Sequence, residues 1–212
     1  MSITLVIGNK NYSSWSLRPW LYLKYHQIAF EELKIPLYQG DYKSKILNYS
    51  PSGKVPVLID GNIKVWDSLA ILEYLAERFS QFSAWPKDVT ERALARSLSA
   101  EMHAGFSALR THCGMDCRRL PESRQLPDAV YADVARIGEI WQQCRRQHGE
   151  AGPWLFGQFS IVDAMYAPIA IRLHSYLLET NNEAQAYQNM VLDHPLLKEW
   201  IAAAKTETEV IE

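Results

Sequence analysis

The sequence predicts a mixed α/β sheet followed by an all-helical region, and two observations carry that reading. Short β-rich runs alternate with helical stretches over residues 1–80, and beyond them the apolar periodicity is helical almost throughout. A sharp hairpin signal, Asp60-Gly61-Asn62 between two apolar runs, also places two adjacent antiparallel strands in the first part.

The elements follow in order. Ile3 to Ile7 is a β-branched run closed by the turn residues Gly8-Asn9-Lys10-Asn11. Leu17, Leu21 and Tyr25 recur at helical spacing and predict a helix over 14–26. Ala29 to Leu37 reads as a second strand ended by Pro36 and Gln39-Gly40-Asp41, and 42–49 as a short, loosely held polar helix. Val57-Leu58-Ile59 and Ile63-Lys64-Val65-Trp66 flank the hairpin turn. Asp67 or Ser68 then caps an amphipathic helix ending near Phe79, with Leu69, Leu72, Ala76 and Phe79 facing inward. The order βαβαββα gives one mixed four-stranded sheet with helices on its faces.

Residues 81–88, with Trp85-Pro86, lose periodicity and read as a linker between domains at 1–80 and 89–212. Helices are predicted over 89–113, 128–149, 162–179 and 195–205, and the polar tail 206–212 is expected to fray.

Composition narrows the functional classes. The 212 residues carry 48% hydrophobic and 22% charged side chains with a net charge of −2, which excludes wholesale disorder and gives no basic field for nucleic acid. No apolar run approaches the roughly 20 residues that span a bilayer. The opening Met-Ser-Ile-Thr-Leu-Val-Ile-Gly lacks a basic region and reads as a strand rather than a signal peptide. An odd number of cysteines, Cys113, Cys117 and Cys144, fits a reducing cytoplasm. The 7 Trp and 11 Tyr are unusually many and supply large amphipathic packing area.

Three local patterns could carry chemistry, and each also fits an ordinary structural role. In Tyr12-Ser13-Ser14-Trp15-Ser16-Leu17-Arg18, hydroxyls at a helix N-terminus could hold a thiolate, or simply cap the helix. In Lys54-Val55-Pro56-Val57, a cis proline would expose the backbone of Val55 to an extended peptide, whereas a trans one is a plain strand start. Asp67-Ser68 at a helix start suits the ammonium and carboxylate of an α-amino acid, or is a common cap. The cysteines beside His112 and Asp116 lack the ligand pairs of a structural zinc site, so no metal is expected.

Taken together, Ser-Ser-x-Ser-x-Arg, Lys-Val-Pro-Val-Leu and Trp-Asp-Ser-Leu-Ala-Ile-Leu-Glu-Tyr-Leu resemble the cytosolic glutathione S-transferases, of bacterial, serine-type, zeta- or theta-like kind. A further match lies downstream, where Trp154-Leu155-Phe156-Gly157 leads into Phe159-Ser160-Ile161-Val162-Asp163, similar to the family's buried capping box. The resemblance implies a thioredoxin-like N-terminal domain, an all-helical C-terminal domain and a cytoplasmic homodimer acting in detoxification. It implies glutathione as co-substrate and a small electrophile as the second partner. By the same resemblance Ser14, or else Ser13, meets the glutathione sulfur. Lys54, Val55, Pro56, Asp67 and Ser68 bind the tripeptide, while Ser160 and Asp163 are structural. Tyr12, Trp15, Met102, Phe106 and Arg110 are the candidates for the electrophile pocket, the last three by spacing on one helix face. Glu101 or His103 would reach a partner's glutathione. Two alternatives stay open: a zeta-like isomerase of maleylacetoacetate type, in which Trp15 replaces that class's cysteine, and a non-enzymatic interaction protein on the same fold.

Overall fold

The computed structural model describes residues 3–211. A four-stranded sheet has the order β2-β1-β3-β4, built from β1 (Ile3–Ile7), β2 (Phe30–Lys34), β3 (Val57–Asp60) and β4 (Ile63–Trp66). β1 runs parallel to β2 and antiparallel to β3, the sense expected of a βαβ unit joined to a hairpin. Gly61 takes φ +59° in the hairpin turn, where a side chain would be strained.

Successive side chains of a strand face opposite sides. Ile3, Leu5, Ile7 and Leu58 turn toward the main core, shared with α1 (Ser14–Tyr25) and α3 (Ser68–Arg78). Val6 and Val57 turn the other way and join Ile35 and Ile46, the latter from α2 (Tyr42–Leu47). A helix is thus present within the expected 42–49 segment, ending at Leu47 and held by one buried apolar anchor, Ile46.

The second part is helical: α4 (Val89–Ala104), α5 (Ser107–His112), α6 (Asp128–His148), α7 (Ile161–Ser175), α8 (Asn182–Asp193) and α9 (Pro195–Lys205). α7 is buried on nearly every face and packs against α1, α4 and α8. Asp163 anchors its start: its carboxylate accepts from the backbone N–H groups of Leu155 and Ser160 and from the hydroxyls of Ser160 and Tyr187, at 2.9–3.0 Å. Much of the aromatic content packs here, with Trp141, Trp200 and Tyr166 fully buried. The ring of Tyr25 stacks on Phe159 with centroids 3.9 Å apart, joining the first part to the second.

Four expectations need correction. The helix predicted over 89–113 is broken at Gly105-Phe106. A Cβ on Gly105 would stand 2.6 Å from the carbonyl oxygen of Glu101, and Phe106 adopts a left-handed φ of +54°. The helix predicted over 162–179 stops at Ser175, because Leu177 takes φ +51°. α8 is an additional helix, capped by the Asn181 side chain on Ala184 N–H. The tail does not fray at Glu207, which is 9% exposed and bonded to the N-terminal part.

Candidate functional site

A cleft of about 440 Å³ opens between the sheet's β3 end, the start of α3, the start of α1 and the end of α4. Lys54, Val55 and Pro56 form one wall, with the Val55-Pro56 peptide cis. Val55 precedes the first ladder pair of β3, Val6 with Val57, so its backbone lies outside the sheet. Asp67 and Ser68 form the floor at the N-terminus of α3, where unpaired N–H groups favour anions. Trp15 and Trp66 add apolar surface, and His103 closes the α4 side. A separate cavity of about 490 Å³ is lined only by the second part, among them Arg119, His174, Asp193 and Lys205, and holds none of the residues singled out for tripeptide binding.

Asp67 is the most constrained of these residues. Its φ of +76° is unusual for a residue with a side chain and costs on the order of 1–3 kcal/mol. Its Oδ1 accepts from Leu69 N–H at 2.9 Å and Ala70 N–H at 3.3 Å, which fixes the cap and holds that backbone. Oδ2 stands 3.2 Å from His103 Nε2.

The two candidate serines have different surroundings. Ser13 is the N-cap of α1: its Oγ accepts from Ser16 N–H and shares a 2.7 Å hydrogen bond with Ser16 Oγ. Ser14 is the first helical residue, next to Trp15, and its Oγ accepts from Arg172 Nη2 at 3.2 Å. With one lone pair so occupied, the Ser14 hydroxyl keeps its proton available to an acceptor, whereas the Ser13 oxygen is occupied as an acceptor by the cap and shares a second bond with Ser16 Oγ in which either hydroxyl can donate.

Arg172 comes from the buried α7, and its Nη1 also donates to the Cys113 carbonyl. Arg18, 1% exposed, donates to Ser68 Oγ at 3.4 Å and lies 4.1 Å from the Trp15 ring; Arg110 lies 5.5 Å from the same ring. Arg110 also donates to the His103 and Ala104 carbonyls, closing the end of α4. Among the described residues no carboxylate forms an ion pair with any of the three. Burial, then the repulsion of Arg110 and Arg172, lowers Arg18 to about 9; burial and Arg110 lower Arg172 to about 10. Asp67 offsets part of this for Arg18 and Asp133 part of it for Arg110, so the α1 N-terminus faces a positive field that is only partly neutralised.

The structure brings Trp15, Lys54, Val55, Pro56, Asp67 and Ser68 to one cleft; Ser13 and Ser14 are buried and are not among its lining residues, Ser14 being next in sequence to Trp15. It does not bring Met102 and Phe106 there: both are buried in the main core, and the break at Gly105 removes the common helix face that linked them to Arg110. Tyr12 also points elsewhere, its hydroxyl accepting from Arg118 Nη2 at 2.8 Å. His103 lines the cleft of its own chain, and Glu101 is held by Arg136 at 2.8 Å. Arg172 was not singled out, although one charge inside Ile169-Ala170-Ile171-Arg172-Leu173 is a legible signal. The cysteines are free and buried, and burial pushes the Cys117 and Cys144 thiols up to about 12, far from nucleophilic. Among the described residues no group of three or more His, Cys, Asp or Glu converges, and no helix is long and apolar enough to cross a membrane.

Comparison with known proteins gives a consistent result. The family model described as glutathione S-transferase, N-terminal domain, matches residues 12–78, and that of the C-terminal domain matches 94–203. A probable maleylacetoacetate isomerase from Caenorhabditis elegans is 36% identical over 97 residues, 45% of this chain but only 44% of that protein's length. Glutathione S-transferase Z1 from Arabidopsis thaliana is 32% identical over 201 residues, covering 85% of this chain and 90% of the relative. A crystal structure of a glutathione transferase homologue from Burkholderia, with bound glutathione, shares the fold at a TM-score of 0.71 and 21% identity, over 98% of this chain and 100% of that one.

Proposed function

The chain belongs to the glutathione S-transferase family, and we propose that it activates the thiol of bound glutathione for attack on small electrophiles. In this reading residues 1–80 hold the tripeptide and residues 89–212 supply much of the electrophile's surroundings. The backbone of Val55 pairs with the cysteinyl unit, and Lys54 meets the glycyl carboxylate. Asp67 takes the γ-glutamyl ammonium, while Ser68 and the α3 N-terminus take its carboxylate. The extended ligand then runs along the cleft with its sulfur toward α1.

Ser14 donates its proton in a hydrogen bond to that sulfur. A free thiol titrates near 8.5 and is mostly neutral at pH 7. A charge-assisted hydrogen bond and a positive field both favour the thiolate, which is the nucleophile. The observation that carries this reading is the Ser14 hydroxyl itself, fixed as an acceptor by Arg172 and left free to donate. The thiolate attacks the electrophilic carbon, the leaving group departs with the bonding pair, and the thioether product is released.

A second reading, isomerisation, is favoured by one specific observation. Among the described residues Arg18, Arg110 and Arg172 form no ion pair with a carboxylate, and an acidic substrate would supply one. There the thiolate adds to the substrate, rotation follows, and the thiolate is expelled unchanged. We expect a homodimer in the cytoplasm, where three free cysteines fit a reducing compartment.

Calorimetric titration with glutathione, followed by assays of a chloronitroaromatic electrophile and of maleylacetoacetate, separates the readings. Conjugation without isomerisation supports the first and the reverse supports the second. No detectable glutathione binding overturns both and leaves the interaction-protein reading.

A further inference from the structure

The loop that leads from β1 into Ser14, residues 8–13, is held from outside its own domain. Its inner side is closed locally, by Ser13 N–H to the Asn9 carbonyl at 2.8 Å and by Leu37 N–H to Asn9 Oδ1 at 2.8 Å. Its outer side is not. The backbone N–H groups of Lys10 and Asn11 donate to the two carboxylate oxygens of Glu207, at 2.9 and 3.0 Å, across 197 and 196 residues of sequence. One carboxylate thus satisfies two consecutive amides, and Asn11 is fully buried.

A second side chain reinforces this contact. Arg118 donates to the carbonyls of Glu207 and Glu209, at 2.6 and 2.8 Å, and to the Tyr12 hydroxyl at 2.8 Å. Its own N–H donates to Asn11 Oδ1 at 2.9 Å. Lys34 stands 3.4 Å from Glu207 and 3.3 Å from Glu209. The tail, Arg118 and the loop form one hydrogen-bonded unit that ends two residues before Ser14.

We propose that Glu207 is a positioning residue for the reaction: its carboxylate latches the β1–α1 loop and so sets where the Ser14 hydroxyl meets the sulfur. This rests on the proposed role of Ser14. Two parallel charge-assisted hydrogen bonds define both position and orientation of the loop backbone. A glutamine at 207 would present one acceptor and one NH₂ group to two donors, so charge and geometry are lost together. Asp67, Ser68 and Val55 belong to other elements, so glutathione affinity stays close to that of the unchanged enzyme while turnover falls. A displacement of the order of 1 Å at a reacting group costs on the order of 100-fold in rate.

The test compares Glu207→Gln, Glu207→Ala and Arg118→Lys with the unchanged protein. Amide hydrogen exchange of residues 10–16, measured without ligand, should rise in all three, and ultraviolet absorption of bound glutathione should show its thiol ionising at higher pH. Turnover should fall on the order of 10- to 100-fold with little change in KM for glutathione, and acetate should restore part of it in Glu207→Ala. Unchanged exchange at residues 10–16 overturns the latch, whatever the ligand does. Raised exchange with unchanged thiol ionisation and turnover overturns its role in positioning Ser14. If the unchanged protein shows no thiolate signal, the Ser14 reading fails and the positioning claim fails with it, while exchange still decides whether the latch exists.

Discussion

Replacing Ser14 by alanine removes the hydroxyl proposed to donate to the glutathione sulfur while leaving Arg172 its bond to the Cys113 carbonyl. A hydrogen bond to a charged acceptor is worth about 1.5–3 kcal/mol, or roughly one to two pH units in the ionisation of the bound thiol. The thiol of glutathione bound to Ser14→Ala should therefore ionise that much higher. The sign follows directly: the hydrogen bond stabilises the charged form, so its loss matters where the thiol would otherwise be neutral. At pH 6.5 turnover should fall on the order of 10- to 100-fold, and above about pH 9, where a free thiol ionises unaided, the deficit should shrink to a few-fold. A pH–rate profile combined with thiolate absorption measures both. Ser13→Ala is the contrast: losing the α1 cap should cost about 1 kcal/mol of stability and leave turnover per folded molecule nearly unchanged. Full activity in Ser14→Ala together with an inactive Ser13→Ala would refute the assignment and move the role to Ser13.

Other outcomes follow from the same geometry. Asp67→Asn keeps the Oδ1 cap but loses the charge facing the cleft, so glutathione affinity should fall about 10- to 100-fold, while an analogue lacking the γ-glutamyl amino group should bind both forms alike in calorimetry. Arg172→Met should raise the pH at which the bound thiol ionises by about one unit and weaken acidic inhibitors more than neutral ones in competition assays. Asp163→Ala strands four buried donors and should cost about 3–5 kcal/mol in urea denaturation. Burial raises the Asp163 carboxyl from 3.8 to about 6. Its contribution to stability is therefore present below pH 4 and lost as pH rises through 6, a swing of about 3 kcal/mol that Asp163→Ala should abolish.

The sheet and its first helices were legible because their signals are local. The Asp60-Gly61 turn, the Asp67 cap and the period-two strands each act within a few residues. The break at Gly105-Phe106 was not, since Met102, Phe106 and Arg110 satisfy helical spacing and the bend depends on a close approach to Glu101 O. α8 is polar and lacks a strong stripe, and Asn181 is an easily overlooked cap. At the site, the cap residues and the Val55-Pro56 pair were legible from order and spacing. Arg172 and His103 were not assigned to it, because their approach depends on how α7 and α4 pack on α1. Glu207 was hidden altogether, for no local pattern announces a partner 196 residues away.

That separation also orders events during synthesis. Domains form largely from the N-terminal end while translation proceeds at roughly 5–20 residues per second, so residue 207 follows residue 11 by about 10–40 s. Throughout that interval the sheet can form, but the amides of Lys10 and Asn11 must remain hydrated. If the loop acts as proposed, it is locked only after Glu207 is made, and competence for chemistry is a late property of the polypeptide. Release of ribosome-bound chains stalled before and after position 207 would reveal it as a step in activity rather than in folding.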